Sequence, residues 1–441
     1  MAAPLLDDAR IAAQSLQDYV AGLWNPAVRL GVTGLSRAGK TVFITALVGP
    51  DRRWPESTRR ISELRVVIHY ESASFLGRNL GPGRLALDIV DYPGEWILDL
   101  PLLGQSYEQW SRRTLALSEA PARALLAAPW RAHLATLDPT GAEDETAARE
   151  AAALFTAYLK ACRDERVSLS MLPPGRFLMP GDLEGSPALT FAPLDVAQGE
   201  SAPRNSLWAL MARRYEAYRD VVVRPFFREH FARLDRQIVL VDLLAALNAG
   251  PEAVRDLEAA LEDILGAFRP GAKSLLSNLF RPRIDRILLA ATKADHLHHG
   301  DHDRLEEILR RVARPAISRA EAAGARIDVV ALASVRATRE ATISRNGASL
   351  PCILGVPQSG ERVGDELFDG ETEAAVFPGD LPADPDAVDG DGAPLAGFGT
   401  GLRFVRFRPP RLAPTGDGLR ATLPHIRLDR ALEFLIGDRL A

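Results

Sequence analysis

Apolar residues along the chain fall into two patterns. Short unbroken runs rich in β-branched residues recur at "VRLGVTGL" (28–35), "RLALDIVD" (84–91), "QIVLVDLL" (237–244), "RILLAAT" (286–292) and "RIDVVALASV" (326–335). Such runs predict strands buried on both faces, as in a parallel sheet. One further stretch, "ELRVVIHYES" (63–72), alternates apolar and polar and is joined to "RLALDIVD" through the turn-rich "GRNLGPG". So short a connection predicts an antiparallel pair, because parallel neighbours need a long crossover.

The second pattern has helical spacing. "TVFITALVG" predicts a helix stopped at Gly49-Pro50, and another is expected at 303–323. Between the second and third strand runs, "SYEQWSRRTLALSEAPARALLAA", "EDETAAREAAALFTAYLKACRDE" and "SLWALMARRYEAYRDVVVRPFFREHFARLD" predict an inserted helical domain. Within that insertion the Pro/Gly-rich "LPPGRFLMPGDLEGSPALTFAPL" is either a loop packed on the helices or a recognition element. From about residue 340, short runs such as "PCILGVP" and "LRFVRFRPP" surround an acidic Asp/Gly/Pro-rich stretch at 359–396, expected to be a long, partly mobile loop. The final "IRLDRALEFLIGDRL" is amphipathic with mixed charge, which favours a packing helix over a membrane anchor.

Composition narrows the class. With 441 residues, 47% hydrophobic and 25% charged, the chain is expected to form two or three globular units. Its 53 basic and 58 acidic residues are interspersed, with no basic stripe suited to a nucleic-acid backbone, so no nucleic-acid partner is expected. No basic leader and no apolar run of about 18 residues is found, which favours a cytoplasmic location. Cys162 and Cys352 lack metal-ligand spacing, so neither a disulfide framework nor a zinc site is suggested by them. One asymmetry is more telling: only four cations are lysines, Lys40, Lys160, Lys273 and Lys293, and the other 49 are arginines. Lysine persisting against that bias marks positions that need a compact ammonium on a flexible stem.

Two of those lysines fall in motifs. Gly34-x-x-x-x-Gly39-Lys40-Thr41 follows a strand run and opens a helix, the context a phosphate-binding loop requires. Its backbone N–H groups, from Gly34 through Leu35, Ser36, Arg37, Ala38, Gly39 and Lys40 to Thr41 and Val42, would meet phosphate oxygens at a helix N-terminus. Lys40 reaches the β and γ phosphates, and the Thr41 hydroxyl suits Mg²⁺. The strand run 84–91 ends in Asp91-Tyr92-Pro93-Gly94, a D-x-x-G pattern in which Asp91 serves the Mg²⁺ shell and the Gly94 N–H meets the γ-phosphate. Thr292-Lys293-Ala294-Asp295 approximates the N-K-x-D pattern that selects guanine. Asp295 can accept from the guanine ring N–H and exocyclic amine, which adenine cannot match. Lys293 would lay its stem along the base, and Thr292 stands where Asn is usual. Ala333-Ser334-Val335, at the end of the last strand run, would offer a backbone N–H to guanine O6.

At this point the chain resembles the YcjX-like family of bacterial stress-associated P-loop GTPases, through "VTGLSRAGKTVFITALV", "DYPGEWILDLPLL", "RFLMPGDLEG", "DRQIVLVDLLAALN", "TKADHLHH" and "LRFVRFRPP". The resemblance implies a GTPase with a large helical insertion, linked to envelope stress and to an inner-membrane protein partner that would hold it at the membrane periphery. Residues 51–83 match the family less clearly, so Ser57, Thr58, Ser72 and Ser74 all stand as candidates for the switch hydroxyl. The expected fold is α/β, a P-loop NTPase of GTPase-like type, with a mixed sheet flanked by helices. Residues 1–98 (N-terminal helix, phosphate loop, switches) and 236–339 (base recognition) form its two parts, 99–235 the inserted helical domain, and 340–441 a C-terminal α/β extension.

For hydrolysis, Glu95 occupies the place where a glutamine often orients the attacking water. A carboxylate there needs a nearby cation against the γ-phosphate. Arg37, Arg112 and Arg113 are the candidates to stabilise developing charge. His296, His298, His299 and His302 cluster after the base motif. Without a carboxylate-rich companion they read as a wall of the base pocket or the start of the next helix, rather than a metal site. The expected function is Mg²⁺-dependent GTP binding and slow hydrolysis to GDP, with the helical domain moving with nucleotide state. The rivals are a small-molecule kinase and a scaffold that binds nucleotide but hydrolyses little.

Overall fold

The computed structural model describes residues 27–35, 37–48, 61–71, 83–164, 167–195, 202–267, 284–345, 348–363, 365–389, 404–410 and 423–440. The expected N-terminal helix, Ser36 and the switch candidates Ser57, Thr58, Ser72 and Ser74 lie outside the described residues.

Six strands form the central sheet: β1 (Ala27–Gly34), β2 (Ser62–Tyr70), β3 (Gly83–Asp91), β4 (Arg236–Val241), β5 (Arg286–Thr292) and β6 (Arg326–Leu332). Their order is β2-β3-β1-β4-β5-β6. All neighbours are parallel except β2, which runs antiparallel to β3, as the short connection predicts. Leu30 of β1 sits in register with Ile89 on one side and Arg236 on the other.

Every residue of β4 is buried, because helices cover both faces. Side chains alternate between them. Ile238, Leu240, Leu288, Ala290 and Val330 face a core with Phe43 of the helix Lys40–Val48 and with Leu428, Ala431 and Leu435 of the C-terminal helix Leu428–Ile436. The terminal amphipathic segment is therefore a packing helix. Val239, Val241, Leu289, Ala291 and Val329 face the opposite way, into a core that continues without a break into the helical insertion.

The insertion is organised by aromatic side chains. Trp110 stacks on Tyr215 at 5.1 Å between centroids, Trp130 on Tyr158 at 5.2 Å, and Phe191 meets Phe177 edge to face at 5.0 Å. Such pairs add to the area they bury by about 0.5–1.5 kcal/mol each. Phe177, Leu178 and Phe191 belong to the Pro/Gly-rich segment, so of its two readings the structure has the packed loop. The helix expected at 303–323 is divided at a proline. Residues 303–323 form His302–Val312 and Arg314–Ala322, the second opening with Pro315 in its first turn. Proline brings no N–H there and its φ suits a helix start.

The C-terminal region adds an antiparallel sheet of β7 (Arg339–Arg345), β8 (Ala348–Gly355) and the strand Ala374–Val376. The acidic stretch differs from expectation in its described part. Its described residues contain a small hairpin and a helical turn, Pro385–Asp389, and bury Leu381 and Val388 in the main core. These two apolar residues anchor the described part of a stretch expected to be a partly mobile loop.

Candidate functional site

The sequence motifs converge where β1, β3, β4 and β5 end. After β1 the chain turns tightly: Leu35 N–H donates to Leu240 O at 3.3 Å and Ala38 N–H to Leu35 O at 3.0 Å. Arg37 (φ 63°) and Gly39 (φ 79°) adopt left-handed backbone conformations, and the helix begins at Lys40. That leaves the helix N-terminus, with its unpaired N–H groups, at the head of the loop. Gly94 packs directly on this turn, since a Cβ built there would fall on the carbonyl oxygen of Gly34. Asp91 and Lys40 form an ion pair between the end of β3 and the helix start. Burial lowers the Lys40 pKa, and Asp91 opposes the shift.

Beneath the loop, the fully buried Tyr92 hydroxyl bonds the Thr33 hydroxyl, which accepts from Gln237 Nε2 at 2.5 Å. This chain ties β1, β4 and the residue after β3 together below the site.

The segment after Gly94 is held by the insertion. Trp96 Nε1 donates to Met179 O at 2.8 Å, and the Arg176 guanidinium lies over the Trp96 ring, 3.1 Å from its centroid. Gly175 meets the Glu95 carbonyl so closely that no Cβ would fit. The buried Asp99 carboxylate accepts from Gly175 N–H at 2.7 Å and from the Tyr218 hydroxyl at 2.6 Å. Burial pushes its pKa up to about 6 despite those two bonds.

Glu95 itself pairs with Arg163, from the end of the helix Glu145–Cys162, at 3.2 Å. Arg163 also depresses the Arg37 pKa, after burial as the larger cause. Of the three arginines singled out in the sequence, Arg37 lines the central cavity, and Arg112 and Arg113 do not. Arg112 pairs with Glu108 on its own exposed helix face, and Arg113 with Asp263 at 2.7 Å. Both belong to the first helix of the insertion, and that helix turns them away from the loop. Arg163 was missed because 68 residues separate it from Glu95.

At the next strand ends, Lys293 (φ 62°) pairs with Asp242, whose carboxylate also accepts the Ala245 N–H at 3.2 Å and caps the following helix. Asp242 was likewise not singled out. Its only sequence signal is an acid closing an apolar strand run, as Asp91 does. The Thr292 hydroxyl donates to Val241 O at 3.2 Å, strapping β5 to β4. Asp295 is 5% exposed and its Oδ2 accepts the Ala337 N–H at 2.8 Å. Ser334 and Val335 follow β6 and are largely buried, just after Ala333, which exchanges two backbone hydrogen bonds with Ile426.

A cavity of about 280 Å³ reaches some of these parts, lined among others by Leu35, Arg37, Glu95, Arg163, Asp242 and Lys293, whereas Lys40, Thr41, Asp91, Gly94, Ser334 and Val335 do not line it. Small-molecule pockets begin at about this size. Its far wall is Glu361 with Phe404–Arg406 from the C-terminal region. His296 also lines it, its pKa lowered chiefly by burial, with Phe407 edge-on at 5.4 Å. Asp295 is buried and does not line the cavity. His302 starts the next helix and bonds Ala294 O at 2.9 Å.

A family model described as YcjX-like family, DUF463, matches residues 28–50 and 47–440. The "Ras-like GTPase YcjX" of Escherichia coli (strain K12) is 37% identical over 471 aligned positions, covering 94% of this chain and 96% of that protein. The "Ras-like GTPase YcjX" of Shewanella oneidensis (strain MR-1) is 31% identical, covering 94% of each.

Proposed function

Because the chain belongs to the YcjX-like family, we propose that it is a GTP-binding protein of the P-loop fold that hydrolyses GTP to GDP and phosphate. The observation that carries this reading is the contact of Gly94 with Gly34. It brings the D-x-x-G glycine onto the loop that would cradle the phosphates. The names of both relatives support guanine nucleotide as the ligand.

In this reading the backbone N–H groups of residues 34–42 bind the phosphates, and Lys40 exchanges Asp91 for the β and γ oxygens. The Thr41 hydroxyl and the released Asp91 carboxylate are hard oxygen donors that fit Mg²⁺. When bound, that ion neutralises charge on the β and γ phosphates. Lys293, Asp295 and the N–H groups of Ser334 and Val335 recognise guanine. The Ala337 bond orients the Asp295 carboxylate without exhausting its lone pairs. Base entry next to His296 displaces Phe407, whose ring now lies edge-on to that imidazole.

Glu95 orients the attacking water while the bond from the γ-phosphorus to the bridging oxygen breaks. Two like charges about 4 Å apart repel by about 4 kcal/mol at an effective dielectric of about 20. The Arg163 guanidinium offsets a term of that size, so Arg163 joins Arg37 as the group facing developing charge. Through Arg163 and Gly175 the same region would move the helical insertion with nucleotide state. The stress-linked role and the inner-membrane protein partner rest on family membership alone.

A second reading, a scaffold that binds nucleotide and hydrolyses little, is favoured by the anchoring of Trp96 and Asp99. Calorimetry with Mg²⁺ and GDP or ADP, on wild type and Asp295→Asn, tests the first part of the proposal. Guanine preference lost in the variant supports the pocket, and equal binding of both nucleotides by wild type overturns it. Phosphate release from GTP then separates enzyme from scaffold.

A further inference from the structure

Three side chains outside the cavity meet at the junction of the base-recognition loop and the C-terminal sheet. His298 and His299 follow Thr292–Asp295 in the chain, and Glu340 lies in β7. His299 Nδ1 is 2.6 Å from Glu340 Oε2, and His298 Nε2 is 3.6 Å from the same oxygen. One ligand atom from each residue lies within 4.8 Å of the other two. The two imidazole rings are 4.2 Å apart between centroids. Asp295, Asp301 and Asp303 lie close in sequence, yet the carboxylate the fold brings to these two histidines is Glu340, 41 residues beyond His299.

The geometry points to a divalent metal site of the zinc class, built from His298 Nε2, His299 Nδ1 and Glu340 Oε2. Two imidazole nitrogens and one carboxylate suit Zn²⁺ or Co²⁺, not the all-oxygen preference of Mg²⁺ or Ca²⁺. Ligand atoms around a tetrahedral Zn²⁺ stand about 3.3–3.5 Å apart, given bonds of about 2.0–2.1 Å. The two histidine–carboxylate separations, 2.6 and 3.6 Å, bracket that spacing. His298 and Glu340 are partly buried, so part of the ordering is already in place, and His299 at 69% exposed can swing. An open coordination position remains for water.

Besides the His299–Glu340 contact itself, one contact yields when the ion binds and another is kept. Gly300 N–H approaches His298 Nδ1 at 3.4 Å, and metallation at Nε2 puts a proton on that nitrogen. Arg336 Nη2 lies 3.3 Å from Glu340 Oε1, the oxygen the metal does not take, and this pair can persist as outer support. The same two segments are already joined through Asp295 and Ala337. A metal would therefore clip the base-recognition loop to the C-terminal region at a second point.

The test uses the untagged full chain, stripped with chelator, desalted and free of nucleotide, so it does not depend on the GTP reading. Zn²⁺ is titrated by calorimetry, and Co²⁺ by visible absorption. One ion per chain with a Kd of about 1 μM or tighter is expected, with Co²⁺ bands of a four- or five-coordinate site. Glu340→Gln and His299→Asn should each weaken binding by roughly tenfold or more, with metal-free melting temperatures at the wild-type value. If either variant melts early, His298→Asn replaces it. Absence of stoichiometric binding by wild type, or equal affinity in the variants, overturns the site.

Discussion

Glu95 and Arg163 form an ion pair at 3.2 Å, joining the residue after Gly94 to the end of a helix in the insertion. Each is mostly buried, so the pair is shielded from the screening that weakens surface bridges. If Arg163 faces developing charge, Arg163→Ala should slow single-turnover GTP hydrolysis by at least tenfold, about 1.4 kcal/mol in barrier, while GDP affinity changes little. Arg163→Lys should recover part of the rate. An unchanged rate in Arg163→Ala removes it from the chemistry.

Gly94 has no room for a side chain against Gly34. Gly94→Ala must push the 94–104 turn off the loop, at a cost of about 1–3 kcal/mol if the fold survives. A lowered melting temperature and weaker binding of a non-hydrolysable GTP analogue than of GDP are expected. Equal loss for both nucleotides would assign the glycine to packing alone.

The buried pair Arg123–Asp256 links the insertion to the helix Pro251–Ala267. Asp256 also accepts the N–H groups of Ser170 at 2.6 Å and Met171 at 2.8 Å, beside the cavity. Removing one partner strands a buried charge, so Asp256→Ala should lower stability by about 3–5 kcal/mol in urea titration. The double change Arg123→Met, Asp256→Leu should lose less than the single one, although the two N–H groups stay unpaired.

Asp99 carries a pH signature. Its folded pKa, raised to about 6 chiefly by burial, exceeds the unfolded value of 3.8. The folded state therefore binds the proton more tightly. Its stability contribution is full below about pH 4 and is lost as pH rises through about 6, by an amount on the order of 3 kcal/mol. Asp99→Asn should flatten this dependence between pH 4 and 6.5, as denaturation midpoints in that window would record. Parallel pH profiles for wild type and variant would show that the hydrogen bonds to Gly175 and Tyr218 keep the carboxylate ionised.

Local order alone determined much of this protein. The runs 237–241 and 287–291 became the buried centres of β4 and β5 because a parallel strand covered on both faces is apolar along most of its length, and 84–91 became the more exposed, alternating β3. The turn at Gly34–Lys40 and the antiparallel pairing of β2 with β3 were legible for the same reason: short segments with few backbone options. Tertiary structure decided which distant residues meet. Arg163 rather than Arg112 or Arg113, Asp242 as the partner of Lys293, and Glu340 beside the histidines are all meetings of residues distant in sequence. No periodicity encodes such pairs. They exist because one apolar core draws the insertion onto the sheet, and the C-terminal region packs across the strand ends, fixing which charges share a low-dielectric space.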